Sequence, residues 1–459
     1  MDIVLPENDN RPLYSQLYTV LKEAIECGDL SDGVKLPSVR MLQSQLSISK
    51  TPIETACQML VEEGYLISRP RSGLFVTCPV QLASKGKLEA GISHSLSSEQ
   101  SNCIDFNLLT VDAESIPVRD WRAALNETLL TSSHLLHQYG DVQGELGLRT
   151  SLAQYLNVSR GVRCNPEQII VGTGIASSIR LLAYLLEKFC PVAFLEGGIA
   201  QVRGYFTNHG FKIVDIPLTD NSSEPDNWIK ALYLTPSHHP SGAPLSYPMR
   251  MKLLNWASTN QAYIIEDDYD GEFRHSGRTI PAMKGLDQQD RVIYMGTFSK
   301  VFSPSLRMNY LILPSHLLPM LQSAEYLLSP PSRIDQLAMQ KYMDQGKLYR
   351  QIRRMRKLYK EKRERLVQLI KQHLEPFVCI IQEGAGLHLE LLIPHASCHS
   401  EELRRLAEHA GVRVYLSQQR EGTLPKVFLG YGGINGRDME RGILLLKRAW
   451  GSVFTSPVQ

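Results

Sequence analysis

Val292-Ile293-Tyr294-Met295-Gly296-Thr297-Phe298-Ser299-Lys300, followed by Arg307, is the stretch that decides the fold. Four apolar residues in a row read as a buried strand. The strand runs into a glycine, two hydroxyl residues and a lysine. A lysine just past a buried strand, flanked by hydroxyls and followed by an arginine, suits pyridoxal phosphate. Lys300 would form the Schiff base with the cofactor aldehyde. Ser299 and Arg307 would hold the phosphate, where guanidinium geometry favours paired hydrogen bonds. The plain alternative is a solvated lysine at a strand end.

A second stretch works towards the same chemistry. Ala262-Tyr263-Ile264-Ile265 reads as another buried strand and ends in Glu266-Asp267-Asp268-Tyr269-Asp270. Pyridoxal phosphate draws off electrons only while its ring nitrogen stays protonated, and a buried carboxylate beside that nitrogen keeps it so. Asp267 is the candidate. Tyr269, two residues on and on the same strand face, could hydrogen-bond the phenolic oxygen. A solvated loop and a hard-metal site are the alternatives for this acidic cluster. The metal reading ranks low because the lysine motif already accounts for Asp267 and Tyr269, so no metal is expected.

The N-terminal segment has a different logic. Arg11-Pro12-Leu13-Tyr14-Ser15-Gln16-Leu17 opens an amphipathic helix to about Cys27, and Gly28 and Gly33 punctuate the chain after it. Pro37 and Ser38 mark the next helix start. Thr51 is expected as N-cap of the third helix, with Pro52 at its first position. Ile53, Ala56, Cys57 and Leu60 follow helical spacing. Gly64–Ser68 and Gly73–Val76 read as two short strands around a basic turn, Arg69-Pro70-Arg71-Ser72. Three helices and a basic hairpin make a winged helix-turn-helix in which the second helix of the pair would enter the major groove while the wing reaches phosphates or the minor groove. The DNA-facing candidates are Ser38, Arg40, Lys50, Thr51, Thr55, Arg69, Arg71, Ser72 and Gly73.

Taken together these pieces resemble the MocR-type regulators of the GntR superfamily, which fuse a winged helix to a fold-type I aminotransferase-like domain. The N-terminal marks are Pro12-Leu13-Tyr14, Leu36-Pro37-Ser38-Val39-Arg40, Glu63-Gly64-Tyr65 and Ser72-Gly73. The C-terminal marks are Tyr139-Gly140-Asp141, Gly144, Leu148-Arg149, Thr235-Pro236-Ser237-His238, Asp267-Asp268-Tyr269-Asp270, and Gly296 to Lys300 with Arg307. The resemblance implies a homodimer, often head-to-tail, that reads operator DNA and senses a small amine, an amino acid or pyridoxal phosphate itself. It also implies that the turn Gly172-Thr173-Gly174-Ile175 cradles the cofactor phosphate on helix-terminal amides, through Gly174, Ile175 and Ala176. His238 would lie near the cofactor. A basic residue near the C-terminus would grip a substrate carboxylate, and Arg413 and Lys426 are the nearest candidates.

Departures from the family pattern are equally visible. Gly197-Gly198-Ile199 stands where Pro-Gly-Tyr is common, so Ile199 would pack against the cofactor ring without aromatic stacking. The family's Gln in the phosphate turn is replaced around Ala176. The element after His238 is a residue short. Asn309 stands where Gly is usual. These changes point to weaker cofactor binding and less efficient transamination. The alternatives are an active aminotransferase with an accessory DNA-binding domain, and a DNA-binding scaffold that has lost the cofactor.

Composition bounds the rest. The chain has 459 residues, 43% of them hydrophobic, enough for more than one core. Its formal charge is only +2. Residues 1–78 hold seven Lys and Arg against ten Asp and Glu, a net of −3. DNA binding must therefore come from local placement of cations rather than from bulk charge. Eight scattered cysteines without a Cys-x-x-Cys pair suit a reduced interior. The absence of a signal-like start and of a membrane-length apolar run suits a cytoplasmic protein with no membrane partner. The domains are expected at 1–78 for the winged helix, 79–105 for a polar linker, and 106–459 for the α/β aminotransferase-like domain with a small C-terminal α+β lobe. The basic run from Lys347 to Arg365 reads first as a long solvated helix.

Overall fold

The computed structural model describes residues 11–70, 72–77, 103–186, 190–195, 199–216, 224–235, 245–273, 281–381, 386–394, 399–416, 424–451 and 453–454. Arg71, His238, the Gly197-Gly198 pair, the shortened element after His238 and the linker through residue 102 lie outside them. The chain divides into two compact units, Met1–Glu99 and Gln100–Gln459.

The first unit has three helices, Leu13–Glu26, Val39–Leu46 and Lys50–Glu62, and a hairpin of Leu66–Arg69 with Gly73–Val76. One residue from each helical turn faces a common core of Leu17, Leu21, Ile25, Leu42, Ile53, Ala56 and Leu60, the spacing that amphipathic helices require. Ser38 caps the second helix by accepting from Met41 N at 3.3 Å. The third helix starts two residues earlier than expected: Ser49, extended at φ −71° and ψ 164°, is its N-cap, and Thr51 and Pro52 sit inside the first turn. Proline is tolerated there because first-turn N–H groups have no intrahelical acceptor to reach. The left-handed Ser47 (φ 55°) ends the second helix and turns the chain into the third.

The second unit is built on a seven-stranded sheet with the spatial order 169–172, 309–312, 292–297, 263–268, 231–234, 191–195 and 212–216. Asn309–Ile312 alone runs antiparallel to its neighbours; the other pairings are parallel. The central strands are buried along almost their whole length, as in Ile264–Asp268 and Val292–Gly296, because helices cover both faces of such a sheet. The 28-residue helix Lys347–Leu374 then leads to a small lobe. That lobe has a three-stranded antiparallel sheet of 379–380, 388–392 and 426–430 and the helices Ser400–His409 and Gly436–Trp450. Ile104–Asp105, which composition assigns to the linker, instead pairs in parallel with Val412–Arg413 of the small lobe. Polar sequence could not report that pairing, because it is made by main-chain groups. Among the described residues no helix is long and apolar enough to cross a membrane.

Candidate functional site

A cavity of about 450 Å³ opens at the carboxyl ends of Tyr263–Asp268 and Val292–Thr297, where open parallel sheets commonly bind ligands. Lys300, Asp267, Tyr269, Ser299, Arg307, Gly174 and Ile175 all line it. These residues are scattered over 134 positions from Gly174 to Arg307 and converge only through strand order.

Lys300 is 7% exposed. Burial pushes its amine down to about 8, against a smaller upward pull from Asp270. Nζ donates to the carbonyls of Leu109 at 2.9 Å and Leu108 at 3.2 Å. A desolvated lysine with a depressed pKa is a usable nucleophile near neutral pH. The turn holding it is braced by Thr297 Oγ1, which accepts from Ser299 N at 3.1 Å and bonds Ser299 Oγ at 3.0 Å.

Asp267 is buried at the end of its strand, and burial pushes its carboxyl up to about 7, with Asp268 and Asp270 adding to the rise. Tyr233 opposes it by donating to Oδ2 at 2.5 Å. A carboxylate so placed gains most from a cation in the cavity. Tyr269 is half-buried in side-chain area, and burial of its hydroxyl beside Asp270 holds the phenol well above its ordinary range. It is therefore a neutral donor.

The other acids of the cluster are occupied elsewhere. Glu266 accepts from the backbone of Met283 at 2.7 Å and Lys284 at 2.9 Å. Asp268 takes Arg160 Nε and the Tyr294 hydroxyl, both at 2.6 Å. Glu272 accepts from Tyr155 at 2.9 Å. These carboxylates tie the strand end to the packed interior.

One end of the cavity is formed by the turn before the helix Ile175–Leu185. Gly174 is its N-cap at φ +125°, and a Cβ there would lie 2.6 Å from Arg307 Nη2. Only glycine suits that backbone, and its lack of a side chain leaves a cradle between the helix N-terminus and a guanidinium. Asn309 completes it: Oδ1 accepts from Gly174 N at 2.8 Å and Nδ2 donates to Ser178 Oγ at 2.7 Å. The departure at Asn309 thus has a structural role that the sequence did not announce. Ile199 lines the cavity, whereas Ala176 is not among its lining residues.

Arg413 and Lys426 are not among the lining residues. Arg413 is half-exposed and pairs with Asp105 at 3.4 Å, and Lys426 pairs with Glu390 at 3.2 Å. Tyr415, His388 and Phe428 face the cavity from the small lobe, and Asn107, Leu108 and Leu109 from the segment after the linker. Sequence reading missed these, along with Tyr233 and the role of Asn309, because each is brought in by tertiary pairing.

In the N-terminal unit, Ser38, Arg40, Lys50, Thr51, Thr55, Arg69, Ser72 and Gly73 are all exposed. Lys50 pairs with Glu54 at 2.9 Å, and the Arg69 guanidinium stacks 4.6 Å from the Phe75 ring centre.

Residues 13–76 match the gntR family of bacterial regulatory proteins, and residues 104–419 match aminotransferase class I and II. The chain is 38% identical over 452 residues to the uncharacterized HTH-type transcriptional regulator YdeL of Bacillus subtilis, covering 96% of this chain and 97% of that protein. It is 31% identical over 481 residues to the probable rhizopine catabolism regulatory protein MocR of Rhizobium meliloti, covering 98% and 96%. It is 30% identical over 406 residues to the pyridoxine biosynthesis regulator PdxR of Corynebacterium glutamicum, covering 85% and 86%. Among solved structures, Pyrococcus horikoshii kynurenine aminotransferase in complex with PMP superposes with a TM-score of 0.69 at 22% identity, over 77% of this chain and 92% of that one. The latter likeness establishes the fold of the second unit. The order of the two matched regions and the near full-length identity to MocR and its kin place the chain in the MocR-type regulators, a GntR helix-turn-helix domain joined to a fold-type I aminotransferase domain.

Proposed function

We propose that this chain is a DNA-binding transcriptional regulator that holds pyridoxal phosphate in its aminotransferase-like unit and senses a small amine, an amino acid or the cofactor itself. The convergence of Lys300, Asp267, Tyr269, Gly174 and Arg307 on one cavity is the observation that carries the reading.

The residues suit the cofactor in size and in charge. The Gly174 turn and Arg307 offer an anion cradle, with helix-terminal amides and a guanidinium aimed at one place. Asp267 offers a buried carboxylate for a ring N–H. Tyr269 offers a neutral hydroxyl for the phenolic oxygen. Ile199 offers an apolar face. When bound, pyridoxal phosphate supplies an aldehyde that captures amines and a protonated ring that withdraws electrons. Lys300 is the chain's own amine for that aldehyde, and an incoming amine competes with it. The effector can shift DNA binding only by its unequal affinity for two states of the protein.

Regulation is favoured over turnover by the cations of the small lobe. Arg413 and Lys426 are engaged by Asp105 and Glu390 rather than presented to a substrate carboxylate. Repeated conversion of an amino donor to its keto acid would instead support the aminotransferase. The winged helix of a homodimer would read two half-sites through the exposed cations and hydroxyls of its second and third helices and its hairpin.

The visible absorption spectrum with added pyridoxal phosphate, beside Lys300→Ala, tests the reading. A new band in the wild type that the variant lacks supports Lys300 as the point of attachment. No band with excess cofactor overturns the sensing model and favours a dimerisation scaffold.

A further inference from the structure

The segment 104–112 follows the linker in sequence and lines the Lys300 cavity through Asn107, Leu108 and Leu109. Both its ends are pinned. At the start, Ile104 N donates to Gly411 O at 2.8 Å, Phe106 N to Arg413 O at 3.1 Å, and Gly430 N to Phe106 O at 2.9 Å. Gly430 lies so close beneath Asn107 that a Cβ would strike its carbonyl. At the far end, Asp112 pairs with Lys362 at 2.6 Å and its N–H donates to the Tyr359 hydroxyl at 3.2 Å.

The middle is held differently. Leu109 is 61% exposed, so little apolar burial fixes it. Its N–H is satisfied within the turn, by Asn107 Oδ1 at 2.8 Å. The carbonyls of Leu108 and Leu109 both accept from Lys300 Nζ. The amine proposed to capture the cofactor is thus also a clamp on the chain that arrives from the DNA-binding unit.

We propose that residues 104–112 form a strap that reports the chemical state of Lys300 to the linker: the free amine holds the strap by the Leu108 and Leu109 carbonyls, and covalent capture releases it. The proposal rests on the reading of Lys300 as the carbonyl-capturing lysine. Condensation of a neutral amine with an aldehyde forms a C=N bond and expels the carbonyl oxygen as water, together with both N–H hydrogens. The nitrogen then keeps no hydrogen, or one when protonated, and cannot serve two peptide carbonyls. Those carbonyls turn to water, which the exposed position of Leu109 admits. An incoming amine that displaces Lys300 from the captured carbonyl restores the N–H donors and the clamp. The strap therefore distinguishes a lysine that is free from one that is bound, and it does so where the linker joins the fold.

Hydrogen exchange on the full-length protein, followed in a peptide spanning 104–112, tests this in two arms. Without cofactor, Lys300→Met keeps the apolar stem and removes the donors. We expect exchange in the strap to quicken on the order of tenfold, while the helix 347–374 stays as in the wild type. Unchanged exchange in the strap overturns the proposal. In the second arm pyridoxal phosphate is added to the wild type. Appearance of the absorption band together with faster strap exchange supports release. The band with unchanged or slower exchange overturns it while leaving the cofactor reading intact. Absence of the band defeats the cofactor reading, and the strap is then judged on the Lys300→Met arm.

Discussion

Tyr233 reaches from the neighbouring parallel strand and donates a 2.5 Å hydrogen bond to Oδ2 of Asp267. Burial pushes that carboxyl up to about 7, and Tyr233 is the hydrogen bond that counters the rise. Removing the hydroxyl raises the carboxyl further and leaves less carboxylate at neutral pH to pair with a ring N–H. Tyr233→Phe should therefore weaken pyridoxal phosphate binding about tenfold, as expected for a lost hydrogen bond to a charged group. Titration of the cofactor band measures it. Equal affinity in the variant would detach Asp267 from the cofactor.

The Lys300 amine, pushed down to about 8 by burial, sets a pH dependence. Capture of an aldehyde needs the nitrogen lone pair, so the initial rate of band formation should climb as pH rises towards about 8 and level beyond it. The folded pKa lies below the unfolded value near 10.5. In the cofactor-free protein, the unfolded state thus binds more protons between about 8 and 10.5. The contribution of this group to stability grows with pH through that window and is lost as pH falls through about 8. A capture rate independent of pH across neutrality would argue against the buried amine as nucleophile.

Asn309 joins the Gly174 turn to the helix after it through Gly174 N and Ser178 Oγ. Asn309→Ala strands a turn N–H and a helix hydroxyl together. We expect a loss of about 1–3 kcal/mol in stability and a weaker hold on phosphate. Inorganic phosphate and pyridoxal phosphate titrations followed by thermal shift measure the two effects.

Arg160 and Asp268 form an ion pair at 2.6 Å with both side chains almost wholly buried. Arg160→Met leaves the Asp268 carboxylate in the interior with the Tyr294 hydroxyl and no cation. Removing one partner of such a pair costs about 3–5 kcal/mol, and denaturant unfolding of the second unit should report it. A change under about 1 kcal/mol would mean that water reaches the pair.

On the DNA side, Arg40 and Lys50 are exposed at the starts of the second and third helices. Arg40→Ala and Lys50→Ala should each lower operator affinity and flatten its salt dependence by about 0.9 in log–log slope if each neutralises one phosphate. An unchanged slope would remove that residue from the phosphate contacts.

Much of the fold was legible because local chemistry declares itself locally. The apolar runs at 262–265 and 292–295 fall on the buried strands Tyr263–Asp268 and Val292–Thr297. The helices of the first unit announce themselves by spacing and by Ser38, whose hydroxyl caps the helix it precedes. Asp267, Tyr269 and Lys300 stand at or just past strand ends that the sequence marks, which is why the sequence singles them out. Tertiary structure decided what depends on partners distant in sequence. Arg413 and Lys426 look available as cations, but Asp105 and Glu390 engage them. Tyr233 and Asn309 carry no motif, yet strand order sets one beside Asp267 and the other beneath Gly174. Leu108 and Leu109 carry no motif, and their side chains say nothing about function. Their role lies in two main-chain carbonyls offered to Lys300, and every residue has a carbonyl. Periodicity and caps belong to the chain's own neighbourhood and are written in it, whereas ion pairing, desolvation and main-chain contacts exist only once the strands have been ordered in space.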